Sequence, residues 1–321
     1  MAFNKLQTAD ELIHFLKKHA MEDHPFFYHF TTAESLKCIC ENLKWRLNSA
    51  RRMNDLHECT LKTNFSPLWD IIYSTCFSFG DPDNIAMWAM YGIPWEDAIR
   101  IRFSIEDMRE WIAFLSDTHE PIQCKLPSGD QVILNDDDTI MLHDICYAQG
   151  FFGSQRVLTD CPRHLSGCPE ECDECPVKNL LWWDQKNKKT KLIENDNNPP
   201  TLKDELVGFV KNSAWAHEHE TRLTLKKSDT PVDFVDVPIS KDILLKIQIS
   251  IGPKSTLKVE DVKRMMAKYL LSSEDKHGNI KNVSYSYYNE NYSGRRRPLL
   301  QIRRHCDKHL KIPGCFKNSL E

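Results

Sequence analysis

Two carboxylates one residue apart, Glu218 and Glu220, stand late in a chain of 321 residues. Such a pair can accept hydrogen bonds from hydroxyls and stabilise positive charge that develops only in a transition state. On an extended segment both would point to the same face. Far upstream, His29 and Thr31 alternate onto one side of a short aromatic stretch, and Ser74 and Ser78 lie in IIYSTCFSF. A second constellation is Asn54, Asp55 and Glu58, with His57, Asp81 and Asp83. These oxygen donors suit Mg²⁺ or Mn²⁺, as in hydrolytic nucleases, and the neighbouring Arg51 and Arg52 match phosphate bidentately. The plainer reading pairs Glu58 with those arginines and leaves Asn54-Asp55 as a turn.

The sharpest local signal is CPRHLSGCPEECDECP, which holds Cys161, Cys168, Cys172 and Cys175. Four thiolates at short spacing suit a closed tetrahedral zinc site, with His164 able to replace one ligand. With no open position, such a site is structural. The Cys168-x3-Cys172-x2-Cys175 spacing also occurs in iron–sulfur enzymes, which leaves that alternative open. The end of the chain, from Gly294, gathers Arg295, Arg296, Arg297, Arg303, Arg304, Lys308 and Lys311. A run like this can hold nucleic-acid phosphates without reading sequence, or form a solvated tail. Trp88, Tyr91, Trp182, Trp183 and Trp215 can stack on a base or ring, although aromatics more often build cores.

Several elements must position these groups. Thr8 and Glu11 have the spacing of a capping box ahead of Leu12, Ile13 and Leu16, so an amphipathic helix begins there. Residues 26–31 form a strand, Thr31 and Glu34 cap the next helix, and Leu36, Ile39, Cys40 and Leu43 mark its buried face. A strand over 44–48, a strand over 71–79 and a short helix carrying Met87, Trp88 and Tyr91 follow. Ile99, Ile101 and Phe103 alternate with arginines as a strand, and Ser104 with Asp107 caps a further helix. Residues 117–140 are acidic and loop-rich. Beyond the cysteine-rich region at 154–200, the pattern predicts a helix over 202–211 and a strand over 220–225. A strand in LLKIQISIG, a helix in VEDVKRMMAKYLL and a strand in NVSYSYY close the core.

Helices and strands mix without a βαβ rhythm, and no glycine-rich phosphate fingerprint appears. The expected class is therefore α+β, a mostly antiparallel split sheet flanked by helices. Its domain spans 1–293, with the cysteine-rich insertion at 154–200 and the basic tail at 294–321. Apolar content of 41% supports a core, and a net charge of -4 carries no global preference for nucleic acid or acidic membranes. The N-terminal stretch reads as an amphipathic helix rather than a signal peptide, and no apolar run reaches membrane-spanning length. Twelve cysteines without a secretion signal imply a reducing compartment, so the expected location is cytoplasmic.

Five ordered motifs carry a family resemblance. They are Tyr28-His29-Phe30-Thr31; Ser49 to Glu58; Phe77-Ser78 leading to Met87-Trp88-Ala89-Met90-Tyr91; Trp215 to Arg222; and Ile249 to Pro253. Together they resemble the bacterial domain-of-unknown-function family 2971. Leu56 and His57 stand where that family commonly has proline and an aromatic, and its members do not generally carry the cysteine cluster. Membership implies no activity.

The order His29, Ser74/Ser78, Glu218-x-Glu220 also resembles the layout of ADP-ribosyltransferases. That resemblance implies NAD as substrate, with His29 and Thr31 at its ribose and Ser78 and Tyr91 lining the cofactor site. Glu220 would be the catalytic carboxylate, helped by Glu218, and the acceptor would be a macromolecule. Two other classes stay open: a non-catalytic nucleic-acid-binding module, and a metal-dependent nuclease built on Asp55 and Glu58.

Overall fold

A computed structural model describes residues 8–52, 72–80, 83–116, 123–133, 139–148, 182–183, 201–202, 206, 208–226, 232–272, 280 and 282–289. The chain opens with α1 (Ala9–Glu22), where the Thr8 hydroxyl accepts from the Glu11 amide and Glu11 reaches back to the Thr8 amide. This is the capping box that the sequence predicts, and Leu12, Leu16 and Ala20 bury the face behind it. β1 (Phe26–Thr32) runs one residue further than expected, because Thr32 is still paired with Ala98. The N-cap of α2 (Ala33–Asn42) is therefore Thr32, whose side chain accepts from the Ser35 amide, and not Thr31.

β2 (Lys44–Ser49), β3 (Ile72–Ser78), α3 (Ile85–Tyr91) and β4 (Ala98–Ser104) follow where the pattern places them. α4 (Ile105–Ser116) is capped by reciprocal bonds between Ser104 and Asp107, also as expected. The loop-rich 117–140 region contributes β5 (Gln123–Lys125), β6 (Gln131–Ile133) and the start of β7 (Thr139–Asp144). β8 (Cys146–Ala148) comes next, then β9 (Trp182–Trp183) and β10 (Thr201–Leu202). Where a helix was expected over 202–211, the described residues are Leu202 in β10, Leu206 in a 3-10 turn, a turn at Gly208 and Phe209, and the start of β11 (Val210–Asn212). β11 pairs in parallel with β8, an arrangement that local periodicity cannot encode.

β12 (Glu220–Lys226) and β13 (Phe234–Pro238) precede α5 (Lys241–Lys246) and β14 (Gln248–Ile251). The apolar run LLKIQISIG is thus divided, with Leu244 buried on a helix and only its second half a strand. Ser240 decides this by capping α5 at the Ile243 amide. α6 (Val259–Leu270) and β15 (Val283–Tyr285) complete the core.

The main sheet runs β15-β14-β4-β1-β3-β2-β13-β5-β6, with β12 on β3 and β7 on β12. Every pairing in it is antiparallel except β14 with β15, so the class is α+β and the sheet mostly antiparallel. β3 is the branch point. β12 pairs along its whole length on one side, while on the other β1 meets it at Ser78 and β2 meets it at Tyr73 and Ser74. Between those contacts the sheet is split.

One face of the sheet packs its main core, where Phe103 stacks on Trp111 and Trp45 meets both edge-on, with centroids 5.3 to 5.7 Å apart. A smaller cluster of Tyr28, Phe30, Met87, Trp88 and Ala98 holds α3 on the opposite face. Gly252 sits where a Cβ would lie 2.8 Å from Ala98 Cβ and 3.1 Å from Trp88, which explains a glycine after β14. No helix among the described residues is long and apolar enough to cross a membrane.

Candidate functional site

The split in the sheet opens a cavity of about 260 Å³. Alternation places Tyr28, Ser78 and Glu220 in one row across β1, β3 and β12, because Tyr28 pairs with Ser78 and Ser78 with Glu220. Their face is the one that carries α3. His29 belongs by alternation to the other face, against Trp45 and Phe77. It nevertheless lines the cavity, since the gap between β1 and β3 lets its ring stand in the opening.

There His29 Nδ1 donates to the Cys76 carbonyl at 2.9 Å. A carbonyl only accepts, so the proton is on Nδ1 and Nε2 is an acceptor. Burial lowers the His29 pKa against the opposing effect of that carbonyl bond, which favours the neutral ring.

Glu218 and Glu220 do not share a strand. Glu218 ends a 3-10 turn over Ser213–Glu218, His219 adopts a left-handed φ of 46°, and β12 begins at Glu220. The two carboxylates still converge, on Lys211. Its ammonium donates to Glu218 at 2.5 Å and to Glu220 at 3.0 Å. Arg222 adds bonds to both Glu220 oxygens, at 2.6 and 3.2 Å. Burial works to raise the Glu220 pKa, but Arg222 and Lys211 overcome it and hold the carboxyl well below its usual range.

Glu218 accepts from the Tyr91 hydroxyl and from Lys211, one bond on each oxygen. A carboxylate has about four acceptor positions. Glu218 thus keeps capacity for a ligand hydroxyl, whereas Glu220 is largely occupied by its cations. Burial, and then the Glu218 charge, push the Tyr91 pKa up, so it remains a hydroxyl donor. The Cys76 thiol is likewise raised by burial and by Glu220, so it stays protonated and is no nucleophile.

The turn carrying Glu218 is tied at both ends. Phe79 N–H donates to the His219 carbonyl at 3.0 Å, and the Asn84 side chain, which caps α3, donates to the His217 carbonyl at 3.3 Å. Gly80 makes this approach possible, since a Cβ there would lie 2.7 Å from the His219 ring.

The structure brings His29, Ser78, Tyr91, Glu218 and Glu220 to one cavity and leaves Thr31 outside its lining. Thr31 is farther along β1, opposite Ile99. Ser74 lines the cavity too, with its hydroxyl 2.9 Å from Thr224. Arg52 reaches the rim and pairs with Asp233 at 2.5 Å. Asp83 is taken by Arg100 at 3.2 Å and by the Tyr287 amide at 3.1 Å. Trp88 is core, as expected, while Trp215 is half-buried with the Lys211 ammonium 4.9 Å from its ring.

Asn54, Asp55, His57 and Glu58, the cysteines Cys161, Cys168, Cys172 and Cys175, and the basic tail lie outside the described residues. Sequence reasoning missed Lys211 as the cation shared by both glutamates. Its only local sign was a lysine between Val210 and a polar turn. The chain matches no protein-family model, no curated protein and no solved structure.

Proposed function

We propose that this chain is an NAD-consuming enzyme of the ADP-ribosyltransferase type. The observation that carries the reading is the convergence of His29, Ser78, Tyr91, Glu218 and Glu220 on a single cavity at the split of the sheet. Three of the five motifs that resemble family 2971 supply these residues, and membership of that family is part of the proposal.

The reaction breaks the bond between the ribose C1′ and the nicotinamide nitrogen. The bonding electrons leave with neutral nicotinamide, and the ribose becomes oxocarbenium-like. An acceptor oxygen or nitrogen then bonds to C1′ and loses its proton. In this reading Glu218 accepts from a ribose hydroxyl and stabilises the developing positive charge. Glu220 keeps Lys211 and, through it, Glu218 in place. Neutral His29 accepts a second hydroxyl at Nε2. At about 260 Å³ the cavity is below the ~300–1,000 Å³ of common ligand pockets, which suits the nicotinamide riboside half of NAD.

A second reading has its own observation: Glu220 is engaged by two buried cations, as in a structural ion cluster. Under it the chain is a non-catalytic module that meets nucleic acid through its basic tail. Nicotinamide release from NAD by wild type, Glu218→Gln and Glu220→Gln separates the two. Glu218→Gln is expected to abolish release. Its amide oxygen can still accept from Lys211 or Tyr91, and Glu218 faces one cation where Glu220 faces two, so its loss of stability, measured by melting, is expected to be the smaller of the two. Glu220→Gln is expected to destabilise by about 3–5 kcal/mol, because it leaves buried cations undercompensated. No release by wild type, with or without nucleic acid, overturns the enzyme reading.

A further inference from the structure

Behind the strand that carries Glu220, on the opposite face of the sheet, two histidines near the end of α1 and an aspartate more than a hundred residues further on point at one spot. His19 is in the last turn of α1, His24 follows that helix, and Asp144 ends β7. His19 Nδ1 is 2.5 Å and His24 Nε2 is 2.7 Å from the same oxygen, Asp144 Oδ2. The three donor atoms lie within 4.8 Å of one another.

We infer that His19, His24 and Asp144 form a binding site for a divalent first-row transition metal ion such as zinc. Two imidazoles and one carboxylate are a common donor set for such ions. Bonds of about 2.0–2.2 Å in tetrahedral array require the donor atoms to part to roughly 3.4 Å. Both histidines contact the same oxygen, so a displacement of Asp144 Oδ2 by about 1 Å widens both pairs at once, and the half-exposed His19, at a helix end, can follow.

The surroundings strengthen the case beyond the three donors. Asp144 uses its other oxygen to accept from the Thr221 hydroxyl at 2.5 Å, so the carboxylate is turned toward the histidines. His19 offers its remaining nitrogen, Nε2, to the Asp23 carboxylate at 3.2 Å. A carboxylate on the far nitrogen of a ligating histidine orients the ring and raises its basicity. The His24 ring is stacked on Phe79 with centroids 3.7 Å apart and an angle of 10°, which holds its plane. Each of the three ligands is thus positioned by a partner that is not itself a ligand.

Asp144 and His24 are buried, and His19 is 36% exposed at its side chain. That exposure provides the path of entry and leaves the remaining coordination position to water. The ion would join α1 and the residues just after it to β7, and β12 is reached through the Thr221 bond to Asp144. Thr221 is in register with Asp144 and adjacent to Glu220, so the site braces the strand behind the cavity.

The test compares the full chain with its His19→Ala variant, which removes a half-exposed ligand and spares the core. Both are stripped by a chelator and loaded with Co²⁺ or Zn²⁺, and bound metal per chain is counted after gel filtration. Wild type is expected to retain one ion more than the variant, whatever ions cysteines elsewhere in the chain retain. The Co²⁺ difference spectrum should show ligand-field bands without thiolate charge transfer. Metal should also raise the melting temperature of wild type more than that of the variant. Equal metal content with equal melting shifts would show that the three groups are only a hydrogen-bonded staple, and the inference would be wrong.

Discussion

At His29, a neutral imidazole is held by one carbonyl and a wall of aromatic rings. Burial lowers its pKa from the ordinary 6.5, with the Cys76 carbonyl working against that shift. The unfolded chain takes up a proton near that value and the folded chain does so only at lower pH. The group therefore contributes stability above about pH 6.5 that is lost as pH falls toward the folded pKa. Urea unfolding of wild type and His29→Gln at pH 7.5 and pH 5.5 checks the sign. Wild type should lose more stability over that interval than the variant, which cannot take the proton. A similar loss in both would mean that the ring is not resisting protonation. The His29 motif was legible in the residues, and its protonation state was not. That state depends on Cys76, Trp45 and Phe77, which come from two other strands.

The elements explain why Glu218 is placed by a turn and not by a strand. A left-handed residue at position 219 reverses the alternation that would have put Glu218 and Glu220 side by side. Gly80 permits it by leaving room for the His219 ring. Gly80→Ala should force that turn outward, destabilising the protein by about 1–3 kcal/mol through overpacking. The same displacement should draw Glu218 from Tyr91, so kcat for NAD cleavage should fall more than KM rises. Thermal melting and steady-state kinetics on one preparation measure both. Capping signals were read correctly at Thr8 and at Ser104, because a cap is a bond between residues three apart. The helix expected over 202–211 gives way at its end to β11, because the parallel pairing of β11 with β8 depends on a partner more than sixty residues away.

Across the whole molecule, the cavity is the seam where β1 and β2 diverge from β3, so a ligand there would bridge parts of the sheet that are not hydrogen-bonded to each other. Bound only by the folded state, such a ligand adds about 2.7 kcal/mol at a hundredfold excess over its Kd. Nicotinamide riboside should therefore raise the melting temperature, and ADP alone should not, a contrast that calorimetric melting can measure. A shift with ADP and none with the riboside would place the other half of the dinucleotide in the cavity. The amino-acid sequence by itself determined the α+β class, most helices of the core, and the order of His29, Ser78, Tyr91, Glu218 and Glu220. Those follow from periodicity, caps and local residue type, which act over a few residues. Tertiary structure decided that β3 has three neighbours, that Lys211 bridges both glutamates, that Thr31 falls outside the cavity, and that His19, His24 and Asp144 meet. Each of these depends on strand register and long-range packing, where the interacting residues are chosen by the fold as a whole and no local pattern records the choice.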